Sequence, residues 1–128
     1  MKLRTVFTDR VPPGRARISQ AVVHGDTVYV SGMVARDPAT GKTVPGGAAE
    51  QTRQVLENIK SVLEAAGSSM LHVIKTSCFI SNFEDFDKFN PVWESYFPEN
   101  PPARICVETR LGPGFLIEIE AIACLADT

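Results

Sequence analysis

The stretch that decides the fold is AAEQTRQVLENIKSVLEAA, residues 48–66. Mostly apolar side chains recur in it at spacings of three and four residues, which is the period of an amphipathic α-helix. The stripe consists of Thr52, Val55, Leu56, Ile59, Val62, Leu63 and Ala66. Gly67 follows directly, and a glycine at that place can end a helix in the left-handed conformation. We therefore predict one long helix that packs its stripe against a sheet.

Strand patterns surround this helix on both sides. Two Val-rich runs flank His24-Gly25-Asp26 and predict a β-hairpin before it. Residues 73–80 predict a further strand, which a second, aromatic-rich helix follows. Residues 104–109 and 116–125 then predict a closing hairpin. This order is typical of an α+β domain with both helices on one face of the sheet.

The second face of the predicted sheet is also partly apolar. Alternation along residues 116–125 gives one apolar side and one mixed side, and residues 73–80 divide similarly. In the strand predicted at residues 73–80, Ile74 falls on the same side as Thr76, Cys78 and Ile80. Because two helices cover only one face, we expect another copy of the chain to cover the other, which predicts a homo-oligomer.

Length and charge narrow the function classes. The chain has 128 residues and 14.0 kDa, which fits one domain spanning residues 1–128. Thirteen basic and 15 acidic residues give a net charge of -2, which argues against a nucleic-acid partner. No run approaches the ~20 apolar residues of a membrane span, and the N-terminus lacks a signal-peptide core. These features predict no membrane association and a location in the cytoplasm or an organelle matrix.

Metal and phosphate sites are not predicted either. The three cysteines and two histidines show no CxxC, HxH or HxxxH spacing, so we expect no metal. Neither of the Gly-rich phosphate-binding motifs occurs.

Arg104 and the pair Glu118 and Glu120 are candidates for chemistry. Arg104 begins a strand directly after Pro101-Pro102-Ala103, and its guanidinium fork suits bidentate capture of a carboxylate. Glu118 shares one strand face with Glu120. If one of these two glutamates lies in a partly dry cleft, burial would raise the pKa of its carboxyl and suit it to general acid–base work. The alternatives are a structural ion pair between Arg104 and one glutamate, or solvated carboxylates.

Two further positions carry weaker signals. Ser31-Gly32 ends a strand, and the glycine allows a ligand to approach the backbone closely. Cys106 has no histidine near it in sequence, so a small packing residue is a better interpretation than a nucleophile.

Several motifs in order resemble the Rid (YjgF-like) family of reactive-intermediate deaminases, over about residues 16–125. They are Ser19-Gln20-Ala21, residues 28–32, residues 51–58, residues 63–67, residues 73–76, Phe86 with Phe89-Asn90, Pro102-Ala103-Arg104 and residues 117–123. The resemblance implies a chorismate-mutase-like α+β fold with a mixed sheet. It also implies a homotrimer whose sheets form a barrel, with active sites between subunits.

The resemblance also implies an activity. It is hydrolysis of small carboxylate-bearing enamines and imines, of the 2-aminoacrylate and 2-iminopropanoate type, to a 2-oxo acid and ammonia without a cofactor. This is the chemistry of a 2-iminobutanoate/2-iminopropanoate deaminase.

The same resemblance assigns roles to individual residues. Arg104 matches the arginine that grips the substrate carboxylate, and Glu118 the glutamate that positions or activates water. Gly32 and Cys106 match positions that offer backbone contacts, next to Ser31, and Asn90 matches a residue that lines the cleft.

Two positions depart from the usual family pattern. Ile18 stands where many members have a tyrosine that lines the pocket, and Met33 stands where glutamine is common. These departures point to a different substrate, either a larger or more apolar imine or a 2-aminomuconate-like enamine.

Two other functions remain open at this stage. Some relatives are credited with single-strand ribonuclease activity that inhibits translation. A non-catalytic carboxylate-binding or chaperone-like trimer is the third alternative.

Overall fold

Six strands form one mixed sheet in the computed structural model, which describes residues 2–126. The strands are β1 (Leu3–Val6), β2 (Ala21–His24), β3 (Thr27–Val34), β4 (Val73–Ile80), β5 (Ala103–Glu108) and β6 (Ile117–Cys124). The helices are α1 (Ala48–Ala66) and α2 (Phe86–Ser95). Across the sheet the strands follow the order β1-β2-β3-β6-β4-β5, in which only β4 and β5 run parallel.

The long helix and the first hairpin confirm the predictions. Helix α1 has the predicted bounds, and Gly67 ends it at φ 93°, in the left-handed region. The Gly67 N–H donates to the carbonyls of Leu63 and Glu64, which would otherwise lack partners at the helix end. Strands β2 and β3 pair across the two-residue turn Gly25-Asp26.

The predicted closing hairpin is wrong. Strand β6 lies between β3 and β4, whereas β5 pairs in parallel with β4 at the sheet edge. Parallel neighbours need a crossover connection, and α2 provides it between β4 and β5. Strand β6 carries the apolar residues Ile117, Ile119, Ala121 and Ala123, all buried, so the centre of the sheet is the place where it buries most. Strand β1 was not predicted, because only Val6 of its four residues is buried.

The core lies between the two helices and one face of the sheet. Helix α1 contributes Val55, Leu56, Ile59, Val62 and Leu63, and helix α2 contributes Phe89 and Trp93. This arrangement confirms the predicted α+β class with a mixed sheet and two helices on one face. The opposite face presents apolar side chains at its surface, of which Tyr29, Ile105 and Val107 are exposed.

One strand residue faces the other way from the prediction. Ile74 is 50% exposed, whereas its neighbour Val73 is 8% exposed. The pairing of β4 with β6 shifts between Val73 and Lys75, which marks a β-bulge. A bulge adds one residue to a strand and so reverses the alternation of side chains beyond it.

Among residues 2–126, neither helix has the length and apolarity needed to cross a bilayer.

Candidate active site

Arg104 is held by helix α2. Its side chain is half-buried near the start of β5, and Nη1 donates a hydrogen bond of 2.7 Å to Oδ1 of Asn90. Asn90 lies in the middle of α2, whose fixed backbone positions the amide. The structure thus brings these two candidate site residues into direct contact.

Three aromatic rings surround the Arg104 guanidinium. Its carbon Cζ lies 4.4 Å from the ring centre of Trp93, 5.6 Å from that of Phe86 and 5.7 Å from that of Phe89. A cation over an aromatic face is attracted by the ring quadrupole, more strongly where water is excluded. The Trp93 indole N–H in turn donates to the hydroxyl of buried Thr76 at 3.2 Å. The guanidinium is thus oriented before any ligand arrives.

Arg104 does not form the alternative structural ion pair. Within residues 2–126, the one ion pair joins Arg10 to Glu64 at 3.2 Å. The hydrogen bonds found over the same residues use only Nη1 of Arg104. Among the described residues its remaining N–H groups have no hydrogen-bond partner, and a guanidinium with unpaired N–H groups can donate to a carboxylate.

Glu118 lies against the backbone of the neighbouring strand. A Cβ atom added at Gly32 would collide with the Glu118 carboxylate, so a larger residue there would displace that side chain. Burial raises the pKa of the Glu118 carboxyl above its ordinary value, and the Glu120 carboxylate raises it further. Both effects disfavour the charged form, which brings the group toward the range useful for proton transfer.

Ser31 and Ile18 lie on the same side as Gly32. The Ser31 hydroxyl donates to the Ser19 carbonyl at 2.7 Å, so it holds the preceding segment in place. Ile18 is 58% exposed. Together with Ser31, Gly32 and Met33 it lines a cavity of about 100 Å³.

The predicted site residues fall into two groups on opposite faces of the sheet. Thr76 pairs with Arg104 and with buried Ala121, which places Arg104 on the helix-covered face. Phe79 follows Thr76 by three positions on β4, so its side chain points to the opposite face. Phe79 pairs with Glu118, and the Glu118 side chain therefore lies on that opposite face. Arg104, Asn90 and Cys106 form the first group, and Glu118 with Gly32 and the adjacent Ser31 forms the second, whereas Ile18 lies outside the sheet, in the segment before β2. Within one chain, the structure does not bring the two groups together.

Comparisons with known proteins agree with this fold. The family model described as Endoribonuclease L-PSP matches residues 8–125. The chain belongs to this family. That result confirms the resemblance to the Rid (YjgF-like) proteins stated above.

Individual members of the family are similar over almost their whole length. The RutC family protein of Pyrococcus horikoshii is 47% identical over 119 residues, which cover 92% of this chain and 94% of that protein. The 2-iminobutanoate/2-iminopropanoate deaminase of Rattus norvegicus is 40% identical over 121 residues, or 94% and 88% of the two chains. The crystal structure of E. coli TdcF with bound serine superposes with a TM-score of 0.90 at 35% identity, covering 96% and 99%.

Cys106 has the environment of a packing residue in this member of the Endoribonuclease L-PSP family. Burial raises the pKa of its thiol, although the nearby Arg104 opposes that effect. Burial also raises the pKa of Cys78, its partner on β4, to about 12. Thiols with raised pKa are poor nucleophiles at neutral pH. Across residues 2–126, no three His, Cys, Asp or Glu side chains meet as a metal site.

Sequence reasoning missed the role of Trp93 and Thr76. At 6% exposure Trp93 is a core residue, as an aromatic side chain in an aromatic-rich helix is expected to be. It also supports Arg104, which its spacing alone does not reveal. The available signal was its position three residues after Asn90, on the same face of a helix.

Proposed function

We propose that the protein is a hydrolytic deaminase that converts 2-imino acids and their enamine tautomers to 2-oxo acids and ammonia. The observation that carries the proposal is the oriented guanidinium of Arg104, fixed by Asn90 and Trp93 with N–H groups left for a ligand. The name of the rat relative and the serine bound in the E. coli relative support a substrate that carries a carboxylate next to a nitrogen-bearing carbon.

Arg104 would bind the substrate carboxylate. The charge-assisted, bidentate geometry fixes the plane of the carboxylate and hence the direction of the adjacent C=N bond. Because an imine carbon is already electrophilic, orientation and a placed water supply much of the rate enhancement.

Glu118 would move the protons. In its charged form it takes a proton from the water that adds to the carbon of the protonated imine, and a tetrahedral amino alcohol results. Returned to the nitrogen, that proton converts the amine into a leaving group. The C–N bond then breaks as the C=O bond forms, and the carboxylate takes the hydroxyl proton and passes it to the departing ammonia. The balance is one protonated imine and one water consumed, and one 2-oxo acid and one ammonium ion produced. A carboxyl group with a raised pKa suits both steps.

The segregation of Arg104 and Glu118 to opposite faces supports a site shared between subunits. We propose a homotrimer in which Arg104 of one subunit meets Glu118 of the next. The exposed apolar side chains of the helix-free face, including Ile105 at 51% exposure, support its burial against another copy.

A coupled assay tests the activity. A serine or threonine dehydratase releases the enamine, and formation of the 2-oxo acid is followed with and without the protein. We expect acceleration by the wild type and a loss of at least about a hundredfold in Arg104→Ala, since removal of a charge-assisted, bidentate contact costs several kcal/mol. Arg110→Ala is the matched control, because Arg110 is exposed beyond the end of β5.

Two outcomes would contradict the proposal. The first is no acceleration by the wild type with either dehydratase. The second is cleavage of single-stranded RNA that survives repurification and is lost in Arg104→Ala, which would favour the ribonuclease in the family description. The net charge of -2 offers no general attraction for a phosphate backbone.

A further inference from the structure

Two cysteines lie side by side on neighbouring strands. Cys78 of β4 pairs with Cys106 of β5 in the parallel register. Paired residues of parallel strands point their side chains to the same face of the sheet. Here it is the helix-covered face, where Cys78 is buried and Cys106 packs against the core. Both thiols are free, so the sheet holds two reduced sulfur atoms next to each other.

The spacing of the two strands suits a disulfide. Neighbouring strands of a sheet lie ~4.8 Å apart, and disulfides join residues whose Cα atoms are ~4.4–6.8 Å apart. The Cβ atoms have to approach to ~3.8 Å, so β5 has to move toward β4 by about 1 Å at this pair. Strand β5 can make this movement because it lies at the edge of the sheet, with β4 as its neighbour.

The cysteine pair is connected to the site at Arg104. Cys106 follows Arg104 by two positions on β5, so their side chains share a face. The Cys78 thiol donates to the Thr76 hydroxyl at 3.6 Å, and the same hydroxyl accepts from the Trp93 indole N–H. Trp93 in turn supports the guanidinium of Arg104. A change at the two sulfur atoms therefore reaches Arg104 both along β5 and through Thr76 and Trp93.

Exposure gives the two thiols different roles. Cys106 is partly exposed, on the face of β5 that carries Arg104, so a small oxidant meets this thiol first. Cys78 is 0% exposed and is shielded from solvent, but its side chain lies beside that of Cys106. The Arg104 cation favours the Cys106 thiolate and thereby opposes the effect of burial on the pKa of this thiol. An accessible cysteine next to a second one is the arrangement of an attacking thiol and a resolving thiol.

We propose that Cys78 and Cys106 are a modification site, a thiol pair that hydrogen peroxide converts to a cross-strand disulfide. The Cys106 thiolate attacks one oxygen of the peroxide, the O–O bond breaks, and the leaving hydroxide takes up the thiol proton as water. The Cys78 sulfur then attacks the resulting sulfenic acid, the S–S bond forms, and the hydroxyl group leaves with the Cys78 proton as a second water. The two sulfur atoms together lose two electrons, which reduce the peroxide. The balance is two thiols and one hydrogen peroxide consumed, and one disulfide and two waters produced.

The disulfide weakens carboxylate binding at Arg104. Its formation removes the Cys78 donor from the Thr76 hydroxyl and draws β5 toward β4 two residues after Arg104. The guanidinium thereby shifts relative to Trp93, which orients it. We expect KM for a carboxylate-bearing imine to rise at least about fivefold on oxidation, with a smaller change in kcat, and dithiothreitol to reverse the change. This consequence rests on the proposed deaminase function, whereas the formation of the disulfide does not.

Peptide mapping tests the disulfide directly. Trypsin places the three cysteines in separate peptides, which are residues 76–88, 105–110 and 111–128. The wild type is treated with hydrogen peroxide, its remaining thiols are blocked with N-ethylmaleimide in denaturant, and it is digested without reductant. We expect the first two peptides to be linked to each other, in a chain that keeps the mass of one subunit, and dithiothreitol to separate them. Because the thiolate is the nucleophile, the linkage should form about tenfold faster at pH 8 than at pH 7.

Two variants assign the roles of the thiols. Cys78→Val removes the resolving thiol and keeps a buried apolar side chain of similar size. This variant should form no linked peptide, and dimedone should trap a sulfenic acid on Cys106 instead. Cys124→Ser is the matched control, because Cys124 is also a partly buried free cysteine but lies on β6. The control should form the linkage as the wild type does.

The fluorescence of Trp93 gives a second measurement that needs no substrate. Trp93 is the single tryptophan of the sequence, so its emission reports the surroundings of Thr76 and Arg104. The emission should change when the wild type is oxidised and return to its first value with dithiothreitol.

Three results would overturn the thiol pair. They are a linkage that includes Cys124 or a second subunit, an oxidised Cys106 that stays unlinked in the wild type, and no reaction of either thiol. A linked pair with an unchanged KM would overturn the effect on Arg104. Absence of deaminase activity in the fully reduced wild type would instead overturn the proposed function and leave the peptide map to decide on the disulfide.

Discussion

The guanidinium carbon of Arg104 lies over the Trp93 indole ring, 4.4 Å from its centre. The indole N–H is meanwhile engaged by the hydroxyl of buried Thr76. A side chain that the core needs for packing therefore also fixes the direction of the group proposed to bind substrate. Loss of the ring should affect ligand binding before it affects the chemical step.

Replacement of Trp93 by leucine should raise KM by about three- to thirtyfold with a smaller change in kcat, because the cation–π contact of ~0.5–2 kcal/mol is lost. Steady-state kinetics on a carboxylate-bearing imine measure the split. Trp93→Phe keeps a ring over the guanidinium and should recover most of the difference. A fall in kcat at constant KM would show that the ring does not act through carboxylate binding.

Replacement of Glu120 by glutamine should move the acid limb of the pH–rate profile to lower pH. The Glu120 carboxylate raises the pKa of Glu118, so its removal lowers that pKa and the base form persists in more acidic solution. The profile of kcat/KM between pH 4 and 9 gives the shift. Glu94→Gln, an exposed position on α2, is the control. An unchanged acid limb would mean that Glu118 does not set it.

Replacement of Glu118 by glutamine should abolish turnover and yet stabilise the fold at neutral pH. Because burial raises the pKa of Glu118 in the folded state, its protonated form adds stability below the ordinary carboxyl pKa. That stability is lost as pH rises through the raised value. Thermal melts should show a higher midpoint for the variant at pH 7–8 and convergence with wild type near pH 4. A variant that is less stable at neutral pH would contradict the burial effect.

Two inactive variants should restore activity when they share an assembly. Arg104→Ala supplies an intact Glu118, and Glu118→Gln supplies an intact Arg104. If each site takes one residue from each of two neighbours, every closed trimer that contains both variants has about one intact site in three. Co-expression with two affinity tags, followed by tandem purification and assay, measures the recovery. Activity no higher than that of either variant alone would place both residues in one subunit.

The parts of the fold that sequence predicted are those with strong local periodicity. Residues 48–66 repeat the helical period over five turns, and the first hairpin is closed by a two-residue turn. The position of β6 between β3 and β4 depends on pairing between distant segments, about which no local pattern carries information. The reversed exposure of Ile74 has the same origin, because a bulge inserts a residue without a local signal in the sequence.

The sequence indicated which residues could form the candidate site, but it did not indicate how these residues are arranged in space. Alternation showed that Glu118 and Glu120 share a face of one strand, and that Arg104 and Cys106 share a face of another. It could not show that these two faces are opposite, because that depends on the register of both strands with β4. The resemblance to the family supplied residue roles, whereas the contacts of Trp93, Thr76 and Gln20 came only from the structure.

The N-terminal loop is structurally separate from the sheet that carries the groups proposed for chemistry. Between residues 7 and 20 it contributes no strand to the sheet, and it is attached chiefly through Gln20, Ser31 and Arg10. The groups proposed for chemistry lie elsewhere, on β5 and on the central strand β6. A graft of this one loop from another member should therefore exchange Ile18 and its surroundings, while Arg104, Glu118 and the strands that position them stay with the recipient.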